Sequence, residues 1–551
     1  MAEGVRAPVG NGSGPARRLV VWPAAVLLLL LHGALAISSL AVKSVTNDEL
    51  SHLPAGLAAV ATGEIRLNPQ HPPLVKLLAG LSASTADPAL PLDGSAYERA
   101  DQWTFGRAVL FGAGNDHRTL LFRGRLPVVA LSLLGGLGVF LWSRERFGDG
   151  GGLLSLTLFA FSPTVLAHGR LVTMDAAVAA GAVWTLYLWW RSTRAPTSDS
   201  TGTGRTPRGR AIACGAALGL TLGAKFSGLL LLPAMALVQG AALVSGSARD
   251  RASDRARLRL RGLLREAVPP WLWVLPVAVV VVELLYLLPP DPLRYLRDLG
   301  TIYSANDPDA PYYLHGRFRQ GGFPHYFAVA LAVKTSLAGL AAMAGGLLAA
   351  GAGAPSRFPS ESAVGPGSTA ANRPRWRDDL YLWLPALLWF GVHSAFALDL
   401  GVRYLSPVYP LLFVLAGGIV PALGRAAGAT PAASRRVRLA ALALPFALGL
   451  SQVSTALAAH PDYLPFFNRL AGGTPGGIHW LGDSNLDWGQ DLARLAPWLQ
   501  AQGIERPRLL YFGAGVPAAY GVERRPMVAS DWWEAPRPGV YVISAQYLIR
   551  G

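Results

Sequence analysis

The sequence alternates between long apolar runs and short charged segments. The first apolar run extends from Leu19 to Val42. Ten more follow near 124–142, 152–167, 174–190, 211–224, 228–246, 271–289, 325–350, 380–398, 404–423 and 439–459. A helix that crosses the hydrocarbon core of a bilayer needs about 20 mostly apolar residues. The pattern therefore predicts an all-α polytopic membrane protein with about eleven transmembrane helices.

The short loops between these runs predict the orientation of the chain. Arginines crowd alternate loops, and the segment 247–268 alone contains seven of them. Because basic loops stay in the cytoplasm, residues 1–18 are predicted to be a cytoplasmic tail, and 19–459 the transmembrane domain. The loops 43–119 and 290–324 then lie outside. The first run is too long for the apolar region of a signal peptide, so we interpret it as an uncleaved span.

Composition narrows the class of protein further. The chain is 52% hydrophobic and 15% charged, with a mean hydropathy of +0.34, which argues against a soluble enzyme. The net charge of +16 is explained by the basic loops, so we predict no nucleic-acid partner. The single cysteine, Cys214, excludes a disulfide framework and a cysteine zinc site.

Two segments outside the spans have patterns of their own. In the loop 43–119, apolar residues recur at helical spacing from Leu53 and again from Leu74, which predicts two short helices lying in the membrane interface. Residues 460–551 are polar, with one helix-like and two strand-like stretches. They predict a small extracytoplasmic α/β domain.

The start of the loop 43–119 concentrates the candidate chemistry, because ionisable groups beside a membrane are costly and are functional candidates. These groups are Asp48, Glu49, His52, His71 and Lys76. Asp48 is the favoured general base. The alternative is that Asp48 and Glu49 only stabilise a helix N-terminus, and Thr46 with Glu49 fits a capping box. The order Asp-Glu-x-x-His lacks the first histidine of a metalloprotease motif, so that class is disfavoured.

Further candidates lie at the ends of other spans. Asp175 could pair with Arg170 or act as a second carboxylate at the site, and a divalent metal held by Asp48, Asp175 and a histidine is an open alternative. All four lysines of the chain fall at or near the predicted outer face, where ammonium groups could meet phosphate. The segment 483–491 alternates oxygen ligands like a calcium loop, but an Asx-rich turn before a helix is the favoured interpretation.

Several motifs together resemble a known superfamily. They are NPQHPPLVKLL, SPTVLAHGRLVTMD, GLTLGAKFSG, YLHGRFRQGGFPHYFAVALAVKTSL, LGVRYLSPVYPLL, HPDYLPFFNRLAGG and DSNLDWGQDL. With an outer loop that opens on Asp-Glu, they resemble the polyprenyl-phosphate-sugar-dependent glycosyltransferases of the GT-C fold. That superfamily includes the protein O-mannosyltransferases of family 39 and the aminoarabinose transferases of lipid A, and this chain looks like a bacterial branch.

The resemblance implies roles for residues at matching positions. Asp48 would deprotonate the acceptor hydroxyl, supported by Glu49, with Asp175 as the second acidic residue. Lys225, Arg403 and Lys334 would hold the lipid phosphate. The remaining candidate substrate-binding residues are His52, His71, Lys76, His168, Arg170 and His315.

The chain is thus predicted to be an inverting membrane glycosyltransferase. The sequence predicts no firm cofactor for it. Its partners would be a polyprenyl-phosphate sugar donor, the lipid bilayer and an acceptor that is a glycan, a lipid or a protein. Its location would be the bacterial inner membrane, with a cytoplasmic N-terminus and an extracytoplasmic C-terminal domain. The alternatives are a transporter of a lipid-linked sugar, expected to have charges or helix breaks in mid-span, and a structural subunit.

Overall fold

The computed structural model describes residues 15–193, 207–247, 256–305, 309–352, 376–428, 435–527 and 537–550. Most of this chain is helical. The helices up to the second outer loop are α1 (Pro15–Ala41), α2 (Glu49–Thr62), α3 (Leu74–Ser84), α4 (Ser95–Glu98), α5 (Gln102–Arg107), α6 (His117–Ala160), α7 (Pro163–His168), α8 (Asp175–Ser192), α9 (Pro207–Ala224), α10 (Leu231–Ser247), α11 (Ala256–Leu285) and α12 (Arg294–Ala305).

The later helices are α13 (Tyr326–Lys334), α14 (Leu337–Gly351), α15 (Trp376–Phe396), α16 (Val408–Ala416), α17 (Ile419–Gly428), α18 (Arg435–Ala459), α19 (Gly473–Gly476), α20 (Leu492–Ala501) and α21 (Ala545–Arg550). Two small sheets accompany them. Strands β1 (Pro311–Leu314) and β2 (Arg317–Gln320) form an antiparallel hairpin. Strands β3 (Arg508–Leu510), β4 (Arg525–Pro526) and β5 (Tyr541–Ile543) form a parallel sheet in the order β4-β3-β5.

Each predicted apolar run lies mainly in helices, but fewer helices than predicted are long and apolar enough to cross a membrane. In the described chain, three helical segments are long and apolar enough to cross a membrane, namely Leu19–Ala41, His117–Ala160 and Val408–Ala427. The run 124–142 and the first part of the run 152–167 lie in α6, which is interrupted between them at Gly148 by a non-helical φ of 85°, and the rest of the second run forms α7. The count of eleven spans, the orientation of the termini and the domain boundary at 460 therefore stay predictions.

A fourth apolar segment is broken. Helices α13 and α14 meet at an angle of 115° across a short break, as in a bent span or a re-entrant loop. Ser336 caps the second helix, since its hydroxyl accepts a hydrogen bond of 3.0 Å from the Gly339 amide. The break places Lys334 at the end of α13, where its side chain faces the C-terminal part of the chain.

The two helices predicted in the first outer loop form α2 and α3, and they cross with their backbones in contact. A Cβ atom on Gly56 would lie 1.9 Å from the Lys76 carbonyl oxygen, and one on Gly80 would lie 2.3 Å from the Gly56 carbonyl oxygen. Only glycine fits at either point. This crossing fixes α2, and with it the start of the loop where the candidate residues lie, against α3.

Candidate functional site

The start of α2 meets the turn between α15 and α16, although these segments are far apart in sequence. Arg403 lies in a short 3₁₀ helix, Val402–Leu405, and its Nη1 donates a hydrogen bond of 2.6 Å to Asp48 Oδ2. The Asp48 side chain keeps 21% of its surface exposed, whereas that of Arg403 is 10% exposed. Asp48 is therefore oriented by a buried cation while part of its carboxylate stays accessible.

A second ion pair lies beside the first. Lys225 Nζ donates a hydrogen bond of 2.7 Å to Asp175 Oδ1, and Arg403 Nη1 lies 3.9 Å from Asp175 Oδ2. The ring of Tyr404 lies under both cations, with the Lys225 ammonium 4.7 Å from its centroid. The structure thus brings Asp48, Asp175, Lys225 and Arg403 into one cluster of alternating charges.

Glu49 is adjacent in sequence but is committed to a different partner. Arg125 donates to it through both Nε and Nη2, at 2.8 and 2.7 Å, and neither side chain is more than 1% exposed. The amides of Thr46 and Val172 also donate to this carboxylate. Although burial raises the pKa of Glu49, the attraction of Arg125 and these hydrogen bonds outweigh it and lower the pKa. These contacts make Glu49 a structural anchor. One of them is the predicted local interaction with Thr46.

His52 and His71 lie beside Asp48, and within the described residues each ring makes its hydrogen bond through Nδ1. His52 Nδ1 donates to the Val172 carbonyl at 2.7 Å, and His71 Nδ1 donates to the Gln70 carbonyl at 2.6 Å. Burial lowers the pKa of both imidazoles, so both Nε2 atoms are neutral acceptors.

A ligand atom from each of Asp48, His52 and His71 lies within 4.8 Å of the others. Two neutral imidazoles and a carboxylate, with backbone carbonyls fixing the tautomers, are a donor set that suits a transition metal. The group therefore fits a metal ion. Asp175 is not part of this group.

Two of the buried lysines outside this cluster, Lys76 and Lys334, bind backbone carbonyls. Lys76 Nζ donates to the carbonyls of Asn68 and His71 at 2.6 and 2.8 Å, and burial lowers its pKa to about 7. Lys334 Nζ donates to the carbonyls of Leu464 and Asn485 at 2.7 and 2.6 Å. Both lysines hold loops in place, and their predicted roles in substrate binding stay predictions.

The other predicted residues occupy three different settings. His168 is buried and interacts electrostatically with Asp175 and Arg403. Arg170 is fully buried, and within the described chain its guanidinium nitrogens have no hydrogen-bond partner. His315 is exposed in the β1–β2 turn, with its ring 4.6 Å from that of Trp480. The structure therefore does not place His315 among the contacts of the charged cluster.

The segment 483–488 is a part of the site that the sequence did not predict. The Trp488 ring lies 4.3 Å from the Arg403 guanidinium carbon, and Asn485 Oδ1 accepts a hydrogen bond of 2.9 Å from the Val402 amide. Burial raises the pKa of Asp483 to about 6, against the attraction of Arg403. The polar segment thus packs against the turn that holds Arg403.

Comparison with known proteins shows which family one part of the chain is similar to. Residues 118–273 match the family of dolichyl-phosphate-mannose-protein mannosyltransferases. The match confirms the predicted resemblance and the predicted enzyme class, a glycosyltransferase. No curated protein matches the chain.

Several solved structures are similar to the chain, among them these three. One is ArnT from Cupriavidus metallidurans bound to undecaprenyl phosphate, with 17% identity, a TM-score of 0.45, and coverage of 92% of this chain and 86% of that one. Another is the oligosaccharyltransferase AglB from Archaeoglobus fulgidus in complex with an inhibitory peptide and a dolichol-phosphate. It has 13% identity and a TM-score of 0.46, with coverage of 89% of this chain and 58% of that one. The third is the protein O-mannosyltransferase Pmt1-Pmt2 complex of S. cerevisiae bound to the sugar donor. It has 16% identity and a TM-score of 0.36, with coverage of 51% of this chain and 34% of that one. The chain spans little more than half of the second protein and about a third of the third.

Proposed function

We propose that this protein transfers a sugar from a polyprenyl-phosphate carrier to an acceptor hydroxyl on the extracytoplasmic face of the bacterial inner membrane. The observation that supports this most is the partly exposed Asp48 carboxylate beside two cations, Arg403 and Lys225. The family match supplies the class of donor, a polyprenyl-phosphate sugar. The acceptor would be a glycan, a lipid or a protein.

Asp48 would act as the general base. As the acceptor oxygen attacks the anomeric carbon, Asp48 takes its proton, and the bond between that carbon and the phosphate oxygen breaks. The electron pair leaves with the lipid phosphate. One base and one displacement invert the configuration at the anomeric carbon. Positioned bases of this kind contribute about 10²–10⁴-fold to rate.

The two cations would stabilise the leaving group. A lipid phosphate departs as an anion, so it needs nearby positive charge more than it needs a proton. Arg403 and Lys225 each pair with a carboxylate on one side, and their remaining N–H groups could face the phosphate. Asp175 would position Lys225, because it is buried and holds that ammonium at 2.7 Å.

A metal ion is a second way for Asp48 to act. A divalent ion held by Asp48, His52 and His71 would supply Lewis-acid charge stabilisation when bound. In either case His52 and His71 fix the local geometry through their Nδ1 hydrogen bonds. Treatment with a chelator distinguishes the two mechanisms.

A transporter of the same lipid-linked sugar is the second candidate function. The 115° break between α13 and α14 favours it, because discontinuous helices line the binding sites of many transporters. A transporter would move the donor without breaking it.

The test is transfer from radiolabelled polyprenyl-phosphate mannose, glucose and aminoarabinose, with a membrane extract as the source of acceptor. Wild type should transfer one of these sugars, and Asp48→Asn should lose about 10²-fold or more. Asp93→Asn is the matched control, since Asp93 is an exposed carboxylate of the same outer loop.

Equal transfer by wild type and Asp48→Asn would exclude Asp48 as the base. If chelation abolishes transfer and Zn²⁺ or Mn²⁺ restores it, Asp48 acts through a metal. If chelation has no effect, Asp48 acts directly on the acceptor.

A further inference from the structure

A pocket lies apart from the charged cluster. It has a volume of about 430 Å³ and is formed by the end of α1, the start of α6 and the helix α20. Asp48, Asp175, Lys225 and Arg403 are not among the residues that line it. Its lining includes four basic residues and no acidic one: Lys43, Arg118, Arg125 and Arg494.

Two of the basic residues have donors to spare. Arg125 is committed to Glu49 and to backbone carbonyls, and Lys43 to Asp462 and Asp491. Arg494 pairs through Nη1 with Asp462 at 2.6 Å and with Asp491 at 3.7 Å, and among the described residues its other guanidinium N–H groups have no hydrogen-bond acceptor, which leaves them for a ligand. The Arg118 guanidinium lies 5.9 Å from the Tyr520 ring. The hydroxyl of Tyr520, which also lines the pocket, accepts a hydrogen bond from the Val45 amide and keeps its own proton to donate.

The pocket also has an apolar wall, which is formed by residues of two candidate membrane spans. It includes Leu40, Leu121 and Phe122, which lie at adjoining ends of the candidate spans Leu19–Ala41 and His117–Ala160. Phe122 is 37% exposed on this side. A ligand that fits both walls has an anionic head among the arginines and an apolar tail that follows the spans into the bilayer.

We propose that this pocket binds the phosphate of an anionic phospholipid from the surrounding leaflet. The lipid would bridge α20, in the polar C-terminal segment, to the outer ends of α1 and α6. Basic residues near a membrane surface attract anionic headgroups, and two arginines at one pocket provide a fork-shaped set of donors for phosphate oxygens. This proposal does not depend on the glycosyltransferase function, so either can fail without the other.

Native mass spectrometry of the delipidated full-length protein tests the proposal, with phosphatidylglycerol and phosphatidylcholine as probes. Wild type should retain phosphatidylglycerol in preference to phosphatidylcholine. Arg118→Gln/Arg494→Gln should weaken phosphatidylglycerol binding by about tenfold or more. Arg317→Gln/Arg319→Gln removes the same charge from the exposed strand β2 and should bind like wild type.

Thermal unfolding in detergent checks that the variants are folded. Because Arg494 also pairs with Asp462, the single variant Arg118→Gln replaces the double variant if the latter fails to fold. Unchanged binding by the folded variant, or no preference between the two lipids, would overturn the proposal. Displacement of the lipid by glycerol phosphate or inorganic phosphate at equal concentration would also overturn it, since the site would then bind a soluble anion.

Discussion

Replacing Glu49 by Gln should destabilise the protein far more than replacing its neighbour Asp48 by Asn. Arg125 is buried with Glu49 as its counter-charge, and both hydrogen bonds of the pair are shorter than 2.9 Å. Glutamine has nearly the same shape, but it leaves the guanidinium without a negative charge and turns an NH₂ group toward existing donors. Asp48→Asn also removes a partner of a buried arginine, but Arg403 keeps Asp175 at 3.9 Å, and the Asp48 carboxylate that is lost is partly exposed.

The magnitude follows from the burial of the pair. Breaking a buried ion pair by removing one partner costs about 3–5 kcal/mol, because the remaining charge stays desolvated. Glu49 and Arg125 are 0% and 1% exposed in their side chains, so we expect the Glu49→Gln cost to lie in this range. A substitution at an exposed position such as Asp93→Asn should change stability by no more than about 0.5 kcal/mol.

The assay is the apparent Tm and the denaturant midpoint of the purified protein in one detergent. The variants are Glu49→Gln, Arg125→Met, the double variant, Asp48→Asn and Asp93→Asn. The double variant should recover part of the loss, since it removes both charges together. The reasoning is refuted if Glu49→Gln unfolds at the same temperature as Asp48→Asn.

The same pair gives a pH dependence with a definite sign. Folding lowers the pKa of Glu49, so the folded state holds this proton less tightly than the unfolded state. The stabilisation is fully present above the unfolded pKa of about 4.3, and it is lost as the pH falls through the lower folded pKa. The difference in Tm between wild type and Glu49→Gln should therefore be constant from neutral pH down to about 5 and shrink only in stronger acid.

Two further substitutions test residues that position the site. Trp488→Leu removes the ring that lies against Arg403, so the KM for the donor should rise by about 2- to 30-fold. Trp488→Phe keeps an aromatic ring and should retain most of the affinity for the donor. Equal KM values for wild type and both variants would exclude this role of Trp488. Lys76→Met leaves two carbonyls of the turn 67–73 without their hydrogen-bond donor. Amide hydrogen exchange in that turn should therefore accelerate, while exchange in α8 stays unchanged. Unaltered exchange in the turn would contradict the role of Lys76 as its anchor.

Local sequence patterns predicted the helices well, because a helix depends on neighbours three and four residues apart. The apolar spacing from Leu53 and from Leu74 correctly indicated α2 and α3. The interruption at Gly148 falls in the predicted gap between the runs 124–142 and 152–167. The same local reasoning missed the 115° break between α13 and α14, because it lies inside the single predicted run 325–350 and depends on packing with other parts of the chain.

The partners of charged residues were harder to predict, since they come from distant parts of the chain. Asp48 and Arg403 are 355 positions apart, and no local pattern joins them beyond the resemblance to a family. Arg125 was visible as a charge inside an apolar run, which is a signal for a buried partner, but its partner Glu49 could not be identified from spacing. The segment 483–488 looked like a turn before a helix, and its contact with Arg403 depends on how the chain returns to the membrane helices.

The most direct test of the central claim is the fate of the donor lipid in proteoliposomes that contain the purified protein and acceptor. If Asp48 promotes glycosyl transfer, wild type should release one polyprenyl phosphate for each sugar transferred, with inverted configuration in the product. Asp48→Asn should bind the donor and leave it intact. Movement of uncleaved donor across the bilayer by both proteins, without release of polyprenyl phosphate, would contradict the account and identify a transporter.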